Sequence, residues 1–251
     1  MIGRSFYDVL LVAFAASALV VFPVLFFVSA PYGRHDGRRV GPKVSSRLGW
    51  ILMEAPAALL MPALFLLSDR TSSGVTLVFL ALWELHYVNR AFIYPLRTRG
   101  KPMPLLVAGG GALFNVINGT LNAGWIFFYS PPYELGWLTD PRFVVGTALF
   151  LAGFAVNQQS DAILRGLRKP GETGYKIPRG GLYRWVSSPN YLGEIVEWTG
   201  WAVATWSPAG AVFALWSFAN LAPRARSHHR WYRRTFPDYP KERKALIPYL
   251  F

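Results

Sequence analysis

Residues 192–221 decide the fold of this chain, and they read LGEIVEWTGWAVATWSPAGAVFALWSFANL. The run is apolar enough to lie in a bilayer, but it is too long for one crossing, since a transmembrane helix needs about 20 residues. Ser207 and Pro208 interrupt the run, and proline is tolerated at the start of a helix but not in its interior. The segment therefore predicts two transmembrane helices joined by a short turn.

Five further apolar runs lie upstream of this hairpin. They cover residues 10–28, 50–67, 74–94, 103–128 and 143–156, the last being the core of a longer helix. Only 16% of the residues are charged, against about 25% in soluble domains, which argues against an ordinary soluble enzyme. We therefore predict an all-α polytopic membrane protein with seven transmembrane helices, forming a single domain over residues 1–251.

The basic residues favour an odd number of spans. Of the 26 Lys and Arg residues, 23 lie after the first, third and fifth spans or in the C-terminal tail. Arg4, Arg70 and Arg142 are the ones that fall on the other side. Because cytosolic loops are enriched in Lys and Arg, we expect the N-terminus outside and the C-terminus in the cytosol. Topology and contact with anionic lipid then account for the net charge of +13 without a nucleic-acid partner.

Polar residues also lie inside the predicted spans, where they are costly and are commonly functional. Glu54 lies near the start of the second span, and Tyr87, Arg90 and Tyr94 share one face of the third. Similar one-faced polar stripes end the fifth span (Asn157, Asp161, Arg165, Arg168), begin the sixth (Asn190, Glu194, Glu197, Trp201) and follow the seventh (Arg224, His228, Tyr232). We predict that they line one cavity that opens to the cytosol. The alternative is that they join helices through hydrogen bonds, which we favour for Glu84.

Several kinds of chemistry are excluded or disfavoured by the sequence. It contains no cysteine, which rules out disulfides and thiolate nucleophiles, and it has no P-loop, HExxH or GxSxG motif. The glycines at residues 109–111 are followed by Phe114 where a dinucleotide-binding fingerprint has glycine, so we interpret them as a helix-packing site. The four histidines have no ligand spacing, and we expect no metal site.

Two long segments carry a family resemblance. Residues 160–207 read SDAILRGLRKPGETGYKIPRGGLYRWVSSPNYLGEIVEWTGWAVATWS, and residues 224–251 read RARSHHRWYRRTFPDYPKERKALIPYLF. Both closely resemble the steroid 5α-reductases, or 3-oxo-5α-steroid 4-dehydrogenases. The similarity extends over essentially the whole chain, with HYxxRxFxYPL at residues 86–96 and a matching segment around Glu54. The tail alone is less specific, because related tails occur in sterol reductases, enoyl-CoA reductases and isoprenylcysteine methyltransferases.

The resemblance implies a membrane enzyme with seven helices that uses NADPH to reduce the Δ4 double bond of a 3-oxosteroid, with the hydride going to C5. Glu54 and Tyr87 match the catalytic pair that holds the C3 carbonyl, and Met53 joins them as a substrate-binding position. The matching cofactor-binding positions are Tyr32, Arg90, Asn157, Asp161, Arg168, Asn190, Glu194, Arg224, His228 and Tyr232. Residues 1–128 then form mainly the substrate side, and residues 143–251 mainly the cofactor side and cytosolic loops.

Three positions depart from the animal members of this family. Met53 stands where they tend to have Gln, Thr98 where they have Asn, and Gly110 where they have an Arg near the cofactor. The general chemistry still agrees with the resemblance. A Tyr hydroxyl hydrogen-bonded to a carboxyl group can donate to a carbonyl oxygen as an enolate forms, and arginines suit the phosphates of NADPH.

Other functions remain open from the residues alone. They are a related membrane enoyl, polyprenol or sterol double-bond reductase, a methyltransferase of the isoprenylcysteine type, and a non-catalytic sterol-binding or scaffold protein. We expect a steroid or similar hydrophobic enone and membrane lipid as partners, and no obligate protein partner. The absence of cysteine and the Ala-, Arg- and Gly-rich composition favour a bacterial inner membrane, whereas the animal family members reside in the endoplasmic reticulum.

Overall fold

The computed structural model describes residues 2–28, 41–98, 100–168, 172 and 174–251, and most of these residues are helical. The helices are α1 (Arg4–Phe27), α2 (Ser46–Leu66), α3 (Gly74–Val88), α4 (Tyr94–Arg97), α5 (Leu105–Gly124), α6 (Pro141–Gly166), α7 (Pro189–Thr205) and α8 (Pro208–Thr235). A π-helical turn, Asn89–Ile93, joins α3 to the short α4, and a second, Trp125–Tyr129, extends α5. The described chain thus contains seven long helical segments, and the predicted all-α class is confirmed.

Three of these segments are long and apolar enough to cross a membrane by length and composition. Among the described residues they are Arg4–Phe27, Ser46–Leu66 and Leu105–Tyr129. The other long helices carry more of the polar residues that the sequence places at membrane depth. One small departure from the all-α prediction is a two-residue antiparallel ladder, in which β1 (Lys43–Val44) pairs with β2 (Met103–Pro104). This ladder ties together the segments that lead into α2 and α5.

The predicted break in the apolar run 192–221 is confirmed. Helix α7 ends at Thr205 and α8 begins at Pro208. Between them, Trp206 takes a left-handed conformation, and the Ser207 side chain caps α8 by accepting a hydrogen bond from the Gly210 amide at 2.9 Å. Helix α8 then continues past the end of the apolar run to Thr235, so that the Arg224 stripe belongs to α8 rather than to a separate tail.

Helices α6 and α7 pack with their backbones in contact, and glycine makes this possible. A Cβ added at Gly153 of α6 would lie 2.3 Å from the backbone nitrogen of Glu197, and one added at Gly200 of α7 would lie 2.3 Å from that of Phe150. Gly146 and Gly193 meet the facing backbone at 2.2 and 2.6 Å. Small residues permit such close packing in membranes, and here it brings the polar stripes of α6 and α7 together.

An aromatic core lies beside these helices. Trp83, Trp198 and Trp201 are almost completely buried, and the Trp83 ring lies 5.6 Å from that of Trp198 and 5.3 Å from that of Trp201. The Trp83 indole N–H donates to the Ala57 carbonyl at 3.1 Å, and the Trp201 indole N–H donates to Asn122 Oδ1 at 2.8 Å. Buried indoles need such partners, and these bonds fix α2, α3, α5 and α7 relative to one another.

Loops and the C-terminal segment pack against the two ends of the bundle. At one end, the Tyr133 hydroxyl and the Trp137 indole donate to the last carbonyls of α7 at 2.7 and 2.9 Å. Beside them, hydrogen bonds from Arg142 lower the pKa of Asp140, the N-cap of α6, to about 2. At the other end, the backbone of Lys244 pairs with the segment just before α7, and buried Arg243 donates to the Pro178 carbonyl at 3.0 Å.

Candidate active site

A cavity of about 440 Å³ lies among six helical segments. The sequence-predicted positions that line it are Met53 and Glu54 from α2, Tyr87 and Arg90 from α3 and its π-helical turn, Asp161 from α6, Asn190 and Glu194 from α7, and Arg224 from α8. Residues of α5 complete its wall. The structure thus brings together side chains that lie up to 171 positions apart in the sequence.

The proposed acid pair, Glu54 and Tyr87, is connected through a residue that the sequence analysis did not single out. The Tyr87 hydroxyl donates to Asn115 Oδ1 at 3.2 Å, and Asn115 Nδ2 donates to Glu54 Oε2 at 3.0 Å and to the Met53 carbonyl at 2.8 Å. We expected a direct Tyr–carboxyl hydrogen bond, whereas the hydrogen bonds of the described residues run through Asn115. The available signal was the spacing of Asn115, Asn118 and Asn122 on one face of an apolar helix.

The Arg90 guanidinium contacts two carboxylates and two aromatic rings. Its guanidinium is 3.3 Å from Asp161 Oδ2 and 3.7 Å from Glu194 Oε2. The same group lies 4.6 and 4.7 Å from the ring centroids of Trp50 and Tyr94, within cation–π range. Arg90 belongs to the π-helical turn Asn89–Ile93, a local feature that occurs frequently at functional sites.

A second buried pair of ionisable residues, His86 and Glu197, lies next to Tyr87. His86 Nδ1 is 2.8 Å from Glu197 Oε1, and both side chains are buried. The imidazole lies 4.6 Å from the Trp198 ring, and His86 and Trp198 both line the cavity. The sequence analysis placed Glu197 in a polar stripe but gave His86 no partner, because the two residues are 111 positions apart.

The remaining predicted cofactor positions differ in their distance from the cavity. Asn157 is not among the lining residues, but it donates to two that are, the Asn190 carbonyl at 3.0 Å and Glu194 at 3.4 Å. The His228 ring lies 5.4 Å from the ring of Tyr191, and Tyr191 lines the cavity. Tyr232 is buried against Tyr239, 5.1 Å away, and is not among the lining residues.

Arg168 and Tyr32 are the last two of the predicted cofactor positions. Arg168 is exposed just beyond the end of α6, with its guanidinium 6.0 Å from the Tyr175 ring. Tyr32 lies outside the described residues.

The glycines at residues 109–111 do not form the helix-packing site that the sequence predicts. A Cβ added at Gly109 or Gly110 would meet nothing within 4 Å, whereas one at Gly111 would lie 2.4 Å from the Met53 side chain. Gly110 and Gly111 both line the cavity. Close backbone packing by glycine therefore occurs between α6 and α7, and the first two of these glycines instead leave open space.

Comparisons with known proteins show which family the chain resembles. Residues 101–251 match a family model described as 3-oxo-5-alpha-steroid 4-dehydrogenase. The chain is 46% identical over 224 residues to "3-oxo-5-alpha-steroid 4-dehydrogenase 1" of Macaca fascicularis, covering 88% of this chain and 84% of the relative. It is 44% identical to "Steroid 5-alpha-reductase DET2" of Gossypium hirsutum, covering 93% of each chain. It is 41% identical to the human "3-oxo-5-alpha-steroid 4-dehydrogenase 2", covering 94% of this chain and 95% of the relative.

Proposed function

Because the chain belongs to the 3-oxo-5-alpha-steroid 4-dehydrogenase family, whose members are oxidoreductases acting on CH–CH bonds, we propose that it reduces the C4–C5 double bond of 3-oxo-Δ4-steroids. NADPH supplies the hydride, which goes to C5, and a proton adds at C4, so that the products are a 5α-3-oxosteroid and NADP⁺. The observation that carries the proposal is that the Glu54–Tyr87 pair and the Arg90 cluster line the same cavity.

Tyr87 is the donor to the C3 carbonyl oxygen in this proposal. Hydride addition at C5 of the conjugated enone moves negative charge onto that oxygen as an enolate forms. A hydroxyl that is already held in place stabilises this charge more in the transition state than in the ground state. Glu54 supports the hydroxyl through Asn115. Phe114, Phe213 and Trp216 give the cavity apolar walls that suit a flat ring system.

The other polar lining residues fit the polar parts of NADPH. Guanidinium groups such as Arg90 and Arg224 suit phosphate oxygens. Carboxylates such as Asp161 and Glu194 accept hydrogen bonds from ribose hydroxyls, and an amide such as Asn190 both donates and accepts. The Arg90 ion pairs hold its guanidinium in position before any ligand binds. The proposed cofactor set also keeps Tyr32, Asn157, Arg168, His228 and Tyr232.

The direct test is NADPH consumption, followed at 340 nm, by the purified protein in detergent with testosterone or progesterone. We expect steroid-dependent oxidation of NADPH and a 5α-reduced product. Oxidation with an enoyl or polyprenol substrate alone would support the related-reductase alternative. Methyl transfer from S-adenosylmethionine without NADPH oxidation would contradict the proposal.

Variants of the acid pair test the chemistry. Tyr87→Phe keeps the ring and removes the donor, so we expect kcat to fall about 10²- to 10³-fold while NADPH binding is retained. Glu54→Gln keeps the shape and removes the acid, and we expect a similar loss. The two losses should not add, because the residues act as one unit. Near-normal steroid turnover by Tyr87→Phe would overturn this mechanism.

We also propose the seven-span topology, with the N-terminus outside, the C-terminus in the cytosol and the cavity opening to the cytosol. Residues 1–128 supply mainly the substrate side and residues 143–251 mainly the cofactor side. The distribution of Lys and Arg supports this orientation. A bacterial inner membrane stays the sequence-based prediction of location, with the endoplasmic reticulum as the location for a eukaryotic source.

A further inference from the structure

Asn115 is a buried amide at membrane depth, in the interior of α5, and only 4% of its surface is exposed. Its hydrogen bonds end on the Tyr87 hydroxyl, the Glu54 carboxyl and the Met53 carbonyl. A polar side chain in this environment is costly unless its bonds are satisfied. The amide therefore connects the two groups to which the proposed chemistry belongs.

The Met53 carbonyl fixes which way this amide faces. A carbonyl can accept but not donate, so the Asn115 nitrogen must point towards α2, where it lies 2.8 Å from the Met53 oxygen. The Asn115 oxygen consequently points towards Tyr87. Because that oxygen can only accept, Tyr87 must be the donor in the bond between them. The position of the hydroxyl proton follows from the amide orientation.

A second series of hydrogen bonds leads to the Tyr87 hydroxyl oxygen, and in it each residue donates to the next. The Trp201 indole N–H donates to Asn122 Oδ1 at 2.8 Å, and Asn122 Nδ2 donates to Asn118 Oδ1 at 3.0 Å. Asn118 Nδ2 then faces the Tyr87 hydroxyl oxygen at 3.5 Å, the longest link of the chain. An indole can only donate, so it sets the direction at this end. Hydrogen bonds aligned in this way polarise one another.

We propose that Asn115 is a positioning residue that orients the Tyr87 hydroxyl proton and holds Glu54 at a fixed distance from it. This inference rests on the proposed function, since it concerns the same acid pair. Before substrate binds, the Tyr87 hydroxyl proton is directed at Asn115 Oδ1. A substrate carbonyl that enters the cavity competes with Asn115 Oδ1 for this proton. Asn118 donates to the same hydroxyl oxygen. This hydrogen bond stabilises the negative charge that develops on the Tyr87 oxygen as its proton shifts towards the substrate.

The test is a double-mutant cycle with Asn115→Leu and Tyr87→Phe. Leucine has the same branched skeleton of side-chain heavy atoms as asparagine, although it is larger, and it removes both hydrogen-bonding groups. We expect Asn115→Leu to lower kcat about 10- to 100-fold, the size of effect that misplacing a catalytic group produces, with NADPH affinity unchanged. In the Tyr87→Phe background the same substitution should have little further effect on kcat, because the hydroxyl that it orients is absent.

Two more variants complete the experiment. Asn115→Ala, which is smaller, should show the same split between kcat and NADPH affinity, and Val116→Ala on the exposed face of α5 should behave as wild type. Near-normal kcat in both Asn115 variants overturns the inference, as does an equal loss in both Tyr87 backgrounds. Loss of NADPH binding in both Asn115 variants assigns the residue to packing and also overturns it. Normal turnover by Tyr87→Phe alone would instead contradict the acid-pair mechanism itself.

Discussion

At the scale of single residues, the polar groups of the cavity are paired with one another. Arg90 contacts Asp161 and Glu194, and His86 contacts Glu197. Such pairing offsets part of the cost of burying these polar groups. It also fixes their orientation, and a preorganised polar site has little reorganisation to undergo during a reaction.

The His86–Glu197 pair should contribute measurably to stability. Glu197→Leu leaves the His86 ring nitrogen without its buried partner, so we expect a loss of about 1–3 kcal/mol in the free energy of unfolding. Thermal unfolding in detergent measures this loss. The double variant His86→Leu/Glu197→Leu should be less destabilised than the sum of the two single variants. Asp8→Asn, in the exposed Arg4–Asp8 pair, is the control and should change stability by less than about 1 kcal/mol.

The arginines of the proposed cofactor set should differ in importance. Arg224 lines the cavity, whereas Arg168 is exposed beyond the end of α6. We expect Arg224→Ala to raise the KM for NADPH about 10- to 150-fold, the cost of losing a charge-assisted hydrogen bond. Arg168→Ala should raise it less, because solvent screens an exposed charge. Steady-state kinetics at saturating steroid gives both values, and equal increases would contradict this ranking.

At the scale of elements, the contact between α6 and α7 determines the shape of the site. Glycine allows these two backbones to touch, and Asn157 of α6 then reaches the Asn190 carbonyl at the start of α7. The Asp161 carboxylate accepts from Asn190 at 3.1 Å and from Arg90 at 3.3 Å, so the π-helical turn after α3 is held at the same place. A change in the spacing of α6 and α7 would therefore displace several cavity residues together.

Substitution of a contact glycine tests this dependence. In Gly153→Ala the new Cβ would lie 2.3 Å from the backbone nitrogen of Glu197, and backbone cannot move aside as a flexible side chain can. We expect the free energy of unfolding to fall by at least about 1–3 kcal/mol, with weaker NADPH binding. Gly109→Ala is the matched control within a helix, since its Cβ meets nothing within 4 Å. It should be neutral or stabilising by up to about 1 kcal/mol, and a similar loss in both variants would refute the packing argument.

At the scale of the whole molecule, the polar cavity lies towards the end of the bundle that carries the Lys- and Arg-rich segments. The start of α7 and residues 213–224 of α8 contribute to its wall, and the C-terminal residues pack beside the start of α7. The opposite end is closed by the loop that contains Tyr133 and Trp137. This polarity agrees with a site that receives a water-soluble cofactor from one side of the membrane.

The orientation in the membrane can be measured directly. Reporter fusions that are active on only one side should place the N-terminus outside and the C-terminus in the cytosol, because 23 of the 26 basic residues then face inward. A fusion after residue 72, between α2 and α3, should report the outside. Finding both termini on the same side would contradict the seven-span topology.

Features that depend on near neighbours in the chain could be predicted from the sequence. The apolar runs predict the long helices, Ser207 and Pro208 predict the break between α7 and α8, and the 3.6-residue period shows that Arg90 and Tyr87 share a face. The segments resembling the steroid 5α-reductases also pointed to the family to which the chain belongs. Each of these signals is local, because helix formation and the facing of a side chain depend on residues within a few turns.

Which helix faces meet could not be predicted from the sequence and is seen in the folded structure. It joined Asn115 to Glu54 and Tyr87, paired His86 with Glu197, and left Arg168 and Tyr232 away from the cavity wall. It also assigned the closest glycine packing to α6 and α7 rather than to residues 109–111. The physical reason is that these contacts depend on the rotation and spacing of helices far apart in the chain. Those quantities are set by packing between whole helix surfaces, and no short sequence pattern encodes them.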